Sequence, residues 1–148
     1  MLPPSITNKS LAELNALGPY GKSDSPVGER IRSLRDTPLR EFSADDLGLL
    51  LRQNAGLQFV VPLVLEKLAL HPLTHRDYYP GVLLVAALGV HQRFWHEHPQ
   101  WRAELREIAQ RTITNLRGRS HKKQEEFHIT LEALTEAYDV FDAATPAV

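Results

Sequence analysis

Residues 57–68 read Leu-Gln-Phe-Val-Val-Pro-Leu-Val-Leu-Glu-Lys-Leu, and their apolar spacing decides the fold class. Leu57, Val60, Val61, Val64, Leu65 and Leu68 recur at steps of three, one, three, one and three. That is the stripe of an α-helix, whose side chains return to one face every 3–4 residues. The valines would suit a strand, but strict alternation is missing. Pro62 lies inside the stripe. A helix accepts proline in its first turn, where the amide has no partner to lose, so the spacing predicts a start near Gln58.

The same period extends outward. N-terminally, Leu47, Leu50 and Leu51 follow Ser43, a good N-cap, and Ala55-Gly56 closes that helix. Ser25-Pro26 opens an earlier one, with Ile31, Leu34 and Val27 on its inner face and Thr37-Pro38 ending it. Ser10 and Glu13 form a capping-box pattern for a short helix through Leu17, and residues 1–9 are expected to fray. C-terminally, Pro80-Gly81 opens Val82–Leu88, apolar on every side and so expected at the centre. His91 to His96 gives a short helix, and Trp101, Leu105, Ile108, Ala109, Thr112, Ile113 and Leu116 mark a long one ended by Gly118. A last helix is expected from Ser120 to Asp142, with Phe127, Leu131, Leu134, Tyr138 and Phe141 inward. The reading is all-α: one domain over residues 1–148, an irregular bundle of about seven or eight helices. Its core is expected to include Val60, Val61, Leu65, Val82, Leu84, Leu88, Leu105, Ile108, Leu131 and Leu134.

Composition narrows function. With 148 residues the chain can bury a core unaided, and with no cysteine it has neither disulfides nor thiolate metal sites. The first residues, MLPPSITNKS, lack the basic and apolar regions of a secretory signal. The longest apolar run, Val82–Leu88, is far short of a membrane span. A cytoplasmic protein without a membrane partner is expected. A net charge of −1 argues against a nucleic-acid partner.

Between Thr37 and Leu88 a set of short motifs appears in order: Phe42-Ser43, Asp46-Leu47, Gln53, Gly56-Leu57, Val61-Pro62-Leu63, Leu65-Glu66 and Asp77-Tyr78-Tyr79-Pro80-Gly81. No piece is specific alone, but the ordered set resembles the immunity proteins of contact-dependent growth inhibition (CDI) systems, the CdiI type. The family's acidic residue after Pro-Gly is replaced here by Val82. The resemblance implies an antitoxin that binds and blocks the C-terminal toxin domain of a large exoprotein. Without cysteine, a nucleophile motif or a metal-ligand spacing, no catalysis, no cofactor and no metal are expected. A nuclease is the expected toxin.

Candidate chemistry beside that resemblance is thin. His91, His96 and His98 invite a metal reading, but Pro99 interrupts them and His96 falls off the face the other two share. The alternative function, a small helical enzyme or ligand-binding regulator, would need its polar pocket there, near His91–His98 and Asp77. No nucleophile elbow, phosphate loop or zinc-protease motif is present. Gln53 and Asp77 read as caps of helix ends, with contact to a partner as the alternative reading. The basic cluster from Arg117 to Lys123 could meet a phosphate backbone, yet cations are also favoured at a helix C-terminus.

Charge is segregated near the C-terminus. Trp101–Lys123 carries Arg102, Arg106, Arg111, Arg117, Arg119, Lys122 and Lys123 against Glu104 and Glu107; beyond it stand Glu125, Glu126, Glu132, Glu136, Asp139 and Asp142 with no Lys or Arg. Two such helices should pack antiparallel with flanking ion pairs. On one continuous last helix, Glu125, Glu132, Glu136 and Asp139 would fall within roughly 60° of each other, opposite the apolar stripe. A row of carboxylates can be an ordinary solvated face, or a landing strip for a basic nuclease toxin. The residues expected to meet the toxin are Glu125, Glu132, Glu136 and Asp139, with Glu126 or Asp142 at the edge, and the turn Asp77, Tyr78 and Tyr79.

Overall fold

The computed structural model describes residues 2–14, 25–74, 79–119 and 121–143. These residues are all-α, as the period required: α1 (Pro4–Thr7), α2 (Pro26–Arg35), a 3-10 turn (Leu39–Glu41), α3 (Ala44–Arg52), α4 (Leu57–Leu70), α5 (Val82–Leu88), α6 (Gln92–Glu97), α7 (Pro99–Arg117), α8 (His121–Glu126) and α9 (His128–Ala143).

The apolar α5 is the hub and packs against α3, α4, α7 and α9. Around it Leu50, Val60, Leu68, Leu84, Leu105 and Leu134 are fully inaccessible, within one continuous core. Of the expected core residues, Val82 and Leu131 are only half-buried. Val82 is the first residue of α5 and lies at the rim, so Leu83 takes the interior place. Leu131 stands at the edge of the buried face of α9, where Leu134 is central. Val27 is not on an inner face: it is 44% exposed, while Ile31 and Leu34 are buried.

Local chemistry sets the helix ends. The Ser25 hydroxyl accepts from the Gly28 amide at 3.0 Å, with Pro26 in the first turn of α2. Ser10 and Glu13 make the reciprocal capping-box bonds, each 3.2 Å, but Leu11–Leu14 is a turn, and Asn15–Leu17 lie outside the described residues. Pro4–Thr7 forms a helical turn within the stretch expected to fray, and the Lys9 carbonyl accepts from the Leu39 amide at 3.0 Å.

Two expectations are corrected. Pro62 is in the second turn of α4, since that helix begins at Leu57. The carbonyl deprived of its amide donor belongs to Gln58, an exposed residue that water can reach. The last helix is not continuous either: Phe127 separates α8 from α9. The α8 sequence, His-Lys-Lys-Gln-Glu-Glu, has no apolar face to bury, so packing does not hold it in line with α9. Phe127 instead packs against the core beneath Arg119, whose guanidinium carbon is 5.3 Å from the ring centre.

Candidate functional site

The residues that carry the ordered motifs are mostly committed to the scaffold. Phe42 and Leu47 are buried. Ser43 and Asp46 form a complete capping box: the Asp46 amide donates to the Ser43 hydroxyl at 3.1 Å, and the Ser43 amide to the Asp46 carboxylate at 3.0 Å. Arg30 of α2 donates to the other Asp46 oxygen at 2.6 Å. Burial favours the protonated acid, but the Ser43 amide, the Arg30 guanidinium and the Ser43 hydroxyl outweigh it and hold the Asp46 carboxyl below its ordinary pKa. Gln53 is the C-cap residue of α3. Gly56 adopts a left-handed φ of 61° against the buried Leu11.

The Pro80-Gly81 turn is fastened to α9. The Thr130 hydroxyl donates to the Pro80 carbonyl at 2.7 Å, and the Gly81 amide donates to the Leu73 carbonyl at 3.2 Å. Tyr79 is half-buried beside this junction. Asp77 and Tyr78, expected to join it in a partner contact, lie outside the described residues.

The carboxylates divide into three groups. Glu132, Glu136 and Asp139 share the outer face of α9 and are exposed, turned about 180° from Leu134 at 100° per residue. Glu132 lies 3.5 Å from the His128 imidazole one turn earlier, a solvated contact; Glu136 and Asp139 carry no ion pair among the described residues. Glu125 and Glu126 belong to α8, so the expected row of four is a row of three on α9 with Glu125 on a separate helix. Asp142 is turned toward α7 and pairs with Arg106 at 3.3 Å.

That pair is one rung of a polar seam. Gln110 donates to the Tyr138 hydroxyl at 2.7 Å, and Arg102 covers the Phe141 ring at 4.9 Å. Contacts run from Arg102–Phe141 through Arg106–Asp142 to Gln110–Tyr138, which makes α7 and α9 antiparallel, as their opposite charges suggested.

The outer face of α9 also holds what the charge pattern concealed. Ile129 is 68% exposed and Val140 65%, flanking Glu136 on the side away from α7. A helical wheel of residues 128–143 separates both from the core stripe, so the signal was present in the sequence.

The histidine cluster is taken up locally. His91 Nδ1 accepts from the Phe94 amide at 3.2 Å and caps α6. The His98 ring lies 4.4 Å from both Phe94 and Trp101. Among the described residues no group of three His, Asp or Glu side chains could hold a metal ion, and no helix is long and apolar enough to cross a membrane.

No curated protein and no solved structure matches the chain. A family model described as CDI immunity proteins matches residues 12–105, from the turn that follows Ser10 into the second turn of α7. This span contains the capping box of Ser43 and Asp46, the Gly56 turn and the whole of the apolar α4 and α5. The chain belongs to the CDI immunity proteins.

Proposed function

We propose that this protein neutralises one toxin domain, a nuclease carried at the C-terminus of a CDI exoprotein, by binding it through the outer face of α9 and occluding its active site. The carrying observation is the exposed row of Glu132, Glu136 and Asp139, opposite the core. A nuclease must present cations to phosphates, and a row of carboxylates meets the same cations. The scaffold supports this placement. Within the matched span most of the described motif residues cap, turn or fill the core, whereas α9 lies outside it. An immunity protein selected against one toxin is expected to place its variable contacts beyond the shared frame. Its work is binding, not catalysis, in the cytoplasm where an incoming toxin acts. Glu125 and the Tyr79 turn, with Asp77 and Tyr78, extend this contact.

The test is co-purification of tagged protein with the toxin domain encoded by the neighbouring gene, followed by assay of that domain's nuclease activity. A stoichiometric, inactive complex is expected. A toxin domain that remains active at saturating protein would refute the reading.

A further inference from the structure

We infer that the furrow between α4 and α7 belongs to the toxin-binding surface and takes one lysine or arginine side chain of the toxin, its stem along an apolar floor and its cation on Glu66 and Glu104; the inference rests on the toxin-binding reading above. The furrow encloses about 380 Å³, and Pro62, Leu65 and Ile108 line it with aliphatic carbon. Trp101 also lines it, half-buried and stacked on the His98 ring at 4.4 Å. The α4 bank is apolar except at Gln58, Glu66 and Lys67, yet Leu70 is 73% exposed and Phe59, Pro62 and Leu63 are only half-buried. A helix of that composition is ordinarily covered. The charges indicate by what. Glu66, Glu104 and Glu107 line the furrow against one cation, Arg111, which already lies 3.6 Å from Glu107. Glu66 is half-buried, and neither it nor Glu104 has an ion pair among the described residues. A lysine or arginine meets both demands: its stem covers apolar carbon and the indole while its head reaches the carboxylates. An acidic or purely apolar side chain would bury Glu66 further without pairing it.

The furrow opens on the same surface as the acidic row of α9. Arg106 faces α9, where it pairs with Asp142. At 100° per residue, Glu104 and Ile108 lie about 160° around α7 from it, on the α4 side. The buried Leu105 points to a third side, toward the hub. Helices α4, α7 and α9 therefore form one layer over α5. Glu107, opposite Leu105, and Glu132, Glu136 and Asp139, opposite Leu134, are exposed on its outer side. Packed helix axes stand about 8–10 Å apart, which puts the furrow roughly 15 Å from α9. A standard interface of about 20–30 residues a side covers that span. One basic toxin surface can thus meet the row on α9 and lower a single cationic side chain into the furrow beyond α7.

The probe is a catalytically inactive form of the neighbouring gene's toxin domain, titrated against the full chain. Glu66→Gln with Glu104→Gln removes both charges at nearly constant size. Ala69→Phe fills the furrow without changing charge, since Ala69 is exposed and lines it. Both variants should unfold thermally like the wild type; should one melt early, the other decides. Each should raise the Kd about tenfold or more. Glu29→Gln with Glu41→Gln removes the same net charge from α2 and the 3-10 turn, which pack on α3 and α1, and should change the Kd less than about twofold. In the wild-type complex the Trp101 indole resonance, assigned by its loss in Trp101→Phe, should shift. A Kd unchanged by the furrow variants, an unmoved Trp101 resonance, or an equal loss from the Glu29 and Glu41 pair overturns the furrow while leaving the toxin-binding reading intact. Failure of the wild type to bind the toxin overturns both.

Discussion

The Thr130 hydroxyl donates to the Pro80 carbonyl at 2.7 Å, joining the start of α9 to the turn that opens α5, 50 residues earlier. Thr130 is 2% exposed, so water cannot replace it. The contact fixes the acidic helix to the apolar hub.

Thr130→Val keeps the shape of the side chain but removes the donor. It should lower unfolding free energy by about 1 kcal/mol, the usual net worth of one hydrogen bond, since the Pro80 carbonyl is only half-buried. Thr130→Ser keeps the hydroxyl and should cost less. Urea unfolding of the two variants makes the comparison; equal losses would mean that the methyl group matters and the hydrogen bond does not.

Gly56 turns the chain from α3 into α4 with φ 61°, and a Cβ there would lie 2.9 Å from Leu11 Cδ2. Gly56→Ala combines a left-handed L-residue with crowding of a fully buried leucine. A loss of about 1–2 kcal/mol is expected. Gly89 has ordinary φ and nothing nearer than 3.5 Å, so Gly89→Ala is the control. Thermal unfolding should separate the two variants clearly.

Asp46 makes stability depend on pH. Its carboxyl is held below the ordinary value in the folded chain, so its contribution is complete above the unfolded pKa of about 3.9 and disappears as pH falls through the lower folded value. Asp46→Ala should cost about 1 kcal/mol at neutral pH through loss of the cap. The difference from wild type should narrow below about pH 4. A difference that stays constant from pH 7 to pH 3 would assign the loss to packing instead of charge.

Much of this was legible in the sequence because helices declare themselves by period and caps. Leu57 to Leu68 read correctly as one helical face, and Ser25 and Ser43 marked starts that the structure retains. Pro62 misled because the steric rule for proline counts positions but not solvent access; an exposed Gln58 carbonyl makes the second turn tolerable. The break at Phe127 was hidden because His121–Glu126 has good helix formers and no proline or glycine. What breaks the helix is tertiary: Phe127 has a core to reach, and α8 has nothing to bury. The acidic face was half legible. Wheel geometry placed Glu132, Glu136 and Asp139 outward, but only the fold shows Asp142 engaged by Arg106 and Glu125 removed to another helix. That the buried Trp95 indole finds no acceptor among the described residues has no sequence signature, since burial and partners exist only in three dimensions.

The acidic face makes the last prediction, a dependence of toxin association on salt. Glu136 and Asp139 form no ion pair among the described residues, so their field reaches solvent. Screening over roughly 10 Å at 0.1 M salt, and about 3 Å at 1 M, should slow association with the toxin progressively. Glu132→Lys combined with Glu136→Lys should preserve helicity, because lysine is a good helix former and both sites are exposed. The same pair should weaken toxin binding by several kcal/mol, about the cost of facing like charges across an interface. Asp142→Asn is the internal comparison. Its carboxylate is 3.3 Å from Arg106, so less of its charge is available to a partner and the association rate should change little. If affinity survives the double charge reversal, and cells remain protected, the toxin must dock away from α9. The Tyr79 turn is then the next surface to test, because Thr130 holds it beside the same helix while its contacts do not depend on the carboxylates.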